Sequence, residues 1–526
     1  MAWDEQRARR RVSLHGSGSF EVNVSDLRRD TDFTNLGTKD VRRVQGVHIY
    51  VDVPNFHLAV GDAGGDKREQ KRLIRAASVL RKVQGDLLRE DEIKPIQLQA
   101  ARLHCLNFKP YDHEDEEECE RRVAERAKRA VIMGITLNSY LYDVFNGVFS
   151  EVRNLRGAVG IAAGQSYVAN IGFHGERERI CLGSCANLGA KILDGGGTIT
   201  LTRPVYDALP ECLKGHFSRS RTVSGEVTYQ AKGLRWKDHA DLAEELGVRY
   251  DEDALREKTE GYRDELPLDQ IEVVEAGTLI DPDVLTERRC KRTDAIAIFA
   301  DIDGFTKYVQ RAESDDSVAS LVRKLHMIRR EFHAVIKKDY EGLVIQHQGD
   351  RVIALVHTPT GDEGFSDRCR NAVDLAVGIQ SSMAHVLNEH LGEQKDLKVA
   401  IGLDVGRTLV TRLGKQGRRI VIVLGPEVES AEDLQLRSGG GEIRISRTIH
   451  DALPEGTLKG WFRQDGSGAF VAEGLTFPRL DEIEEEESAR ANRLAVKRAG
   501  GGFGIITPGG EPTRPAMGAS KPWSGK

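Results

Sequence analysis

Residues 194–211 read DGGGTITLTRPVYDALPE, and residues 438–455 read SGGGEIRISRTIHDALPE. Each stretch opens on a glycine-rich turn, passes through an alternating strand and closes on a short helix stopped at Leu-Pro. So close a match is not expected by chance. Three further pairs keep the same order. RGAVGIAAGQSYVANIG from Arg156 parallels LKVAIGLDVGRTLVTRLG from Leu397, and both predict strand, turn, strand. RERICLGSCANLGAKIL from Arg177 parallels RRIVIVLGPEVESAEDLQ from Arg418, a strand, a Gly turn and a helix. GVHIYVDVPNFHLAV from Gly46 parallels DAIAIFADIDGFTKYV from Asp294, a buried strand ending in an acidic turn. Constant order means that a whole domain is duplicated, not that a short unit is stacked into a solenoid.

Apolar β runs alternate with amphipathic helical stretches such as 317–338 and 367–391, which predicts α/β (α+β) domains with helices covering a sheet. The expected layout is an N-terminal segment (1–40), a first repeat (41–235), a polar helical connector (236–288) and a second repeat (289–480). The tail (481–526) begins near EIEEEE and ends in Gly/Pro-rich sequence, so it is expected to be disordered.

Composition narrows the function classes. The chain has 526 residues, 39% hydrophobic and 30% charged, with mean hydropathy −0.42, as expected of a soluble protein of several domains. A formal charge of −6 leaves no basic footprint for nucleic acid. No apolar run approaches the ~18 residues that cross a bilayer, and the basic N-terminus lacks the apolar core of a signal peptide. Seven cysteines lie scattered without CxxC spacing, which reads as reduced thiols in a cytoplasmic protein.

In the second repeat a hydrophobic strand delivers Asp301 to a turn, and about fifty residues later VIQHQGDRVIALV delivers Asp350. Two carboxylates on adjacent strand ends suit two hard divalent cations, an arrangement fitted to phosphoryl transfer. The turn Asp303-Gly304-Phe305-Thr306 opens a helix whose backbone N–H groups would cradle a triphosphate. Taken singly, each aspartate is also an ordinary turn former or helix cap.

FADIDGFT followed by QGD resembles the metal-binding signature of class III adenylate and guanylate cyclases. The strand–Gly–helix block resembles the family's segment bearing Asn and, four residues on, Arg. The resemblance implies two domains packed head to tail, one supplying the metal aspartates and the other the Asn and Arg. On that pattern Asp301, Asp350 and the Ile302 carbonyl hold two cations, manganese preferred or magnesium in its place. Asn187 stands at the ribose-orienting position and Lys191 replaces the Arg. Arg418 or Arg419 holds the β/γ-phosphates. The first repeat keeps Asp52 but is expected to carry Asn107 at the second metal position, and the second repeat carries Glu429 and Asp433 in place of Asn187 and Lys191. Only one composite site, formed within one chain, is therefore expected. The purine-reading positions fall on Leu103 and Ile180, or by a one-residue shift on Arg102 and Arg179. The whole is most similar to bacterial pyrimidine cyclases of the Pycsar antiphage system. That similarity implies UTP, or next CTP, as substrate, a cyclic nucleotide acting on a separate effector, and a cytoplasmic monomer. An adenylate cyclase with an altered base pocket and a catalytically dead nucleotide sensor are the competing readings.

Overall fold

A computed structural model describes residues 2–485 apart from 17–19, 32, 34–35, 99–100, 113–114, 173–176, 313, 360, 363, 392–396, 415–419 and 484. Residues up to Phe477 form one compact unit, and a second unit begins at Pro478. The expected disorder of the tail falls, from residue 486 on, outside the described residues.

Among the described residues, two nine-stranded sheets repeat one another. The first contains β1 (Asn23–Asp26), β2 (Asp40–Asp52), β3 (Lys94–Leu98), β4 (Leu103–Asn107), β5 (Ala158–Ile171), β6 (Glu178–Leu182), β7 (Thr198–Thr202), β8 (Ser218–Val223) and β9 (Glu226–Lys232). Its order is β3-β4-β2-β5-β7-β9-β8, with β1 on β2 and β6 on β5. The second contains β10 (Glu272–Glu275), β11 (Arg289–Asp303), β12 (Leu343–Gln348), β13 (Arg351–Val356), β14 (Lys398–Leu413), β15 (Ile420–Leu424), β16 (Glu442–Ile445), β17 (Arg463–Gln464) and β18 (Phe470–Glu473). Its order, β12-β13-β11-β14-β16-β18-β17 with β10 on β11 and β15 on β14, is the same path. Even the irregularity is copied: the register slips between Pro95 and Gln97 in one half and between Val344 and Gln346 in the other.

The sheets are mixed but mostly antiparallel, with parallel pairs at β1–β2, β5–β7, β10–β11 and β14–β16. Along β11, Ala295–Ala300 is buried without alternation, as expected of a strand covered on both faces. Helices Asp315–Ala334 and Phe365–Ser382 belong to this half, and helix Pro426–Leu436 lies on β14. That last approach requires Gly402, where a Cβ would stand 2.3 Å from the Ala431 carbonyl oxygen.

Each half extends a two-stranded arm over the other. Leu409, Leu413, Ile422 and Leu424, from the β14–β15 arm, join the core of the first half. Reciprocally, β5 of the first half packs on helix Asp315–Ala334. This is the head-to-tail pairing, and burial of the apolar arms drives it.

The ends depart from the sequence reading in two places. The connector is not wholly helical: Glu272–Glu275 forms β10 and pairs in parallel with β11, as β1 does with β2. A four-residue strand is too short to show a period of two. The weakly patterned N-terminus forms helix Glu5–Gly16, which is tied to the second half. Trp3 stacks on Phe477 and its indole N–H donates to the Ser382 hydroxyl at 2.8 Å. Arg11 pairs with Glu331 at 2.6 Å and Asp339 at 3.0 Å.

Buried histidine gives the fold a pH dependence. His357 Nε2 accepts the Ile280 N–H at 3.0 Å, which only a neutral imidazole can do, and burial pushes its pKa down to about 4. The unfolded chain, with a His pKa of about 6.5, takes up the proton first, so this contribution is complete above pH 6.5 and is lost as pH falls below it. Between pH 7.5 and 5 the wild type should lose about 2 kcal/mol more stability than His357→Gln. Urea unfolding of both proteins at the two pH values measures the difference, and equal losses would contradict it.

Candidate active site

The duplication allows the two candidate sites to be compared position by position. Ala300 pairs with Val352 in the second half, and Val51 pairs with Leu103 in the first. Asp301 therefore matches Asp52, Arg351 matches Arg102, and Asp350 matches Ala101. This corrects the expected alignment: Asn107 ends β4, opposite Val47, and donates from Nδ2 to the Arg126 carbonyl at 2.9 Å. The first half still lacks the second carboxylate, because a methyl group stands in its place.

Asp301 ends the buried run of β11, and Asp350 lies in the turn between β12 and β13, so adjacent strands bring the two carboxylates together. Burial pushes the Asp301 carboxyl up, Arg351 (Nε to Oδ1, 3.8 Å) opposes, and Asp303 adds to the rise. Asp350 is pushed well above the carboxylate range by burial first and by Asp301 second. Two buried carboxylates this close, one raising the other, are hard oxygen donors of the kind that fits divalent cations.

Ile302 is buried, so only its backbone is available to a ligand, and Phe305 likewise faces the core. Gly304 takes a left-handed conformation (φ +80°) that turns the chain into helix Phe305–Gln310. Asp303 and Gly304 are exposed and Thr306 half-buried. The Asp303 carboxylate lies over the glycine turn, 2.6 Å from where a Cβ on Gly440 would sit. Arg418 and Arg419 lie outside the described residues.

Asn187 and Lys191 are on helix Ser184–Lys191, one turn apart, with Asn187 half-buried and Lys191 exposed. This helix packs against Phe305–Gln310, the helix that follows Asp301, and it sits on β2 through Gly189, where a Cβ would stand 2.8 Å from the Tyr50 ring. The mirror arrangement differs in chemistry. Helix Pro426–Leu436 packs near the Asp52 turn, with Glu429 3.3 Å from His57, and Asp433 follows one turn later.

A charge network joins the two sites, and no sequence pattern pointed to it. Glu432 Oε1 accepts from Arg102 at 3.1 Å and from Arg351 at 2.7 Å, one arginine from each half. Arg102 also reaches Asp52 at 3.4 Å. Burial would raise Glu432, but the two arginines together hold it below the usual range. Arg102 is thus committed to carboxylates. Arg179 donates to the Phe33 carbonyl at 3.1 Å, and Leu103 and Ile180 are buried.

A family model for the adenylate and guanylate cyclase catalytic domain matches residues 289–473. The crystal structure of a class III adenylyl cyclase-like ATP-binding protein from Pseudomonas aeruginosa aligns with TM-score 0.76 and 25% identity. It covers 91% of this chain and 99% of that one. Fold, duplicated halves and acidic pair agree with these matches: the protein is a nucleotidyl cyclase whose two tandem halves have a class III cyclase-like fold. Among its relatives, a uridylate cyclase from Pseudomonas aeruginosa is 27% identical over 463 residues, 86% of each chain. A second uridylate cyclase, from a Rhizobium species, is 28% identical over 78% of this chain and 79% of its own. No helix among the described residues is long and apolar enough to cross a membrane.

Proposed function

We propose that this protein converts UTP to 3′,5′-cyclic UMP and pyrophosphate at a single composite site, with CTP the next substrate in preference. The observation that carries the single site is the unequal pair of matched positions: Asp301 with Asp350 in one half, Asp52 with Ala101 in the other. Asp301, Asp350 and the Ile302 carbonyl would hold two divalent cations, Mn2+ preferred. Bound there, the cations supply the means to lower the pKa of the ribose 3′-OH and to neutralise the phosphates.

This chain's own groups would do the rest. Asn187 orients the ribose so that the 3′-oxygen lies in line with the α-phosphorus, and Lys191 offsets the charge that develops on the phosphate oxygens. The turn Asp303-Gly304-Phe305-Thr306 would cradle the phosphates through its backbone, Arg418 or Arg419 would steady the β/γ-phosphates, and pyrophosphate leaves. Glu429 and Asp433 would repel a triphosphate from the mirror site. Pyrimidine preference is supported by the names of both relatives and by the resemblance, which sets apolar Leu103 and Ile180 at the purine-reading positions, where neither side chain could hydrogen-bond a purine edge. The cyclic nucleotide is read as a second messenger for a separate effector in antiphage defence, made by a cytoplasmic monomer, which rests on resemblance to the Pycsar cyclases.

Purified protein given equimolar ATP, GTP, CTP and UTP with Mn2+ should make cyclic UMP as its main product, by mass spectrometry. ATP as the clear best substrate would replace this reading with an adenylate cyclase. No product from any of the four, with nucleotide still bound, would replace it with a nucleotide sensor.

A further inference from the structure

Behind the Asp350 turn lies a guanidinium that spans the two halves. Arg329, on helix Asp315–Ala334, is 4% exposed and donates from Nη2 to the Gly349 carbonyl at 2.6 Å, one residue before Asp350. Its Nη1 lies 3.6 Å from Oε2 of Glu178, which comes from β6 of the first half. The other oxygen of Glu178 accepts the His347 N–H at 2.9 Å, on the strand that leads into the same turn. Glu178 therefore touches both supports of Asp350, its strand and its arginine, from across the domain interface.

The duplicated half supplies an internal control. There Arg81, on helix Lys67–Glu90, makes the related contact, Nη2 to the Arg102 carbonyl at 3.2 Å. By register Glu178, opposite Ile171, matches Ile420, opposite Leu413. The carboxylate is thus present only where it reaches the half that carries Asp350, and an isoleucine stands where the opposing turn has Ala101.

We propose that Glu178 is a positioning residue for the metal carboxylate Asp350, acting through Arg329 and the His347 backbone, so that domain pairing itself completes the cation grip. The proposal rests on the reading of Asp301 and Asp350 as cation ligands. Without the Glu178 charge, Asp350 would be left as the counter-charge to the Arg329 guanidinium, which would disfavour a dication there, and the Gly349–Asp350 turn would lose its tie to the first half.

Mn2+ binding to the full chain, read by electron paramagnetic resonance, separates this role from a merely structural one. Glu178→Gln should weaken Mn2+ by about 10- to 100-fold while kcat at saturating Mn2+ stays within about threefold. Glu178→Asp, which keeps the charge and serves if the amide variant fails to fold, should recover most of the affinity. Mn2+ affinity within twofold of wild type in Glu178→Gln, or in Glu178→Ile if the amide variant is unstable, overturns the proposal. Failure of the parent reading looks different: Asp350→Ala would then bind Mn2+ as tightly as wild type.

Discussion

Asp350→Ala should lower cyclic nucleotide formation by at least about 10³-fold, roughly 4 kcal/mol of transition-state stabilisation, while leaving the fold intact. The loss follows from removing one of two carboxylates that hold the cations over the phosphates, and Asp301→Ala should do the same. Stability moves the other way. Without metal, the Asp350 carboxyl is pushed up by burial and by Asp301, so ionised Asp350 opposes folding at neutral pH. Metal-free Asp350→Ala should therefore unfold at a Tm no lower than wild type, while losing the Tm increase that Mn2+ gives the wild type. A metal-free Tm several degrees lower would mean that Asp350 is a structural residue.

Lys191→Ala should be the second large loss, about 10²- to 10³-fold in kcat, with little change in Tm because the side chain is exposed. Its charge is used only as the phosphate oxygens gain charge, so the KM for nucleotide should change less than kcat. Lys191→Arg should be as active as wild type or better, since a guanidinium can grip the phosphate at two points. Steady-state kinetics at saturating Mn2+ provide the check, and an unaltered kcat in Lys191→Ala would remove the first half from the chemistry.

How much of this was legible in the sequence depends on the range of the interaction. The duplication could be read because glycine turns, alternating strands and Leu-Pro stops are local signals, and the two sheets repeat each other strand for strand. Asp301 and Asp350 could be read because one ends a strongly hydrophobic run and the other sits in a Gly-Asp turn just before one. The counterpart of Asp350 was misplaced at Asn107 because Gln99-Ala100-Ala101-Arg102 has lost both the Gly and the Asp that mark a turn. The flanking Gln and Arg, shared with Gln348 and Arg351, were the remaining signal. Nothing local marks Glu432 as the bridge between Arg102 and Arg351, or Glu178 as a partner of Arg329, because those partners lie from about 80 to more than 300 residues apart. The N-terminal helix was illegible for the same reason: its arginines are spaced for Glu331, Asp339 and Glu389 of the second half.

The most direct test of a single site shared between the halves of one chain is the activity of a 1:1 mixture of Asp350→Ala and Lys191→Ala chains. Each variant damages a different half of the same composite site. Pairing within a chain predicts that the mixture stays at the mean of the two crippled proteins at every concentration. Recovery to a sizeable fraction of wild-type activity, rising with concentration, would show sites built between chains and contradict the account.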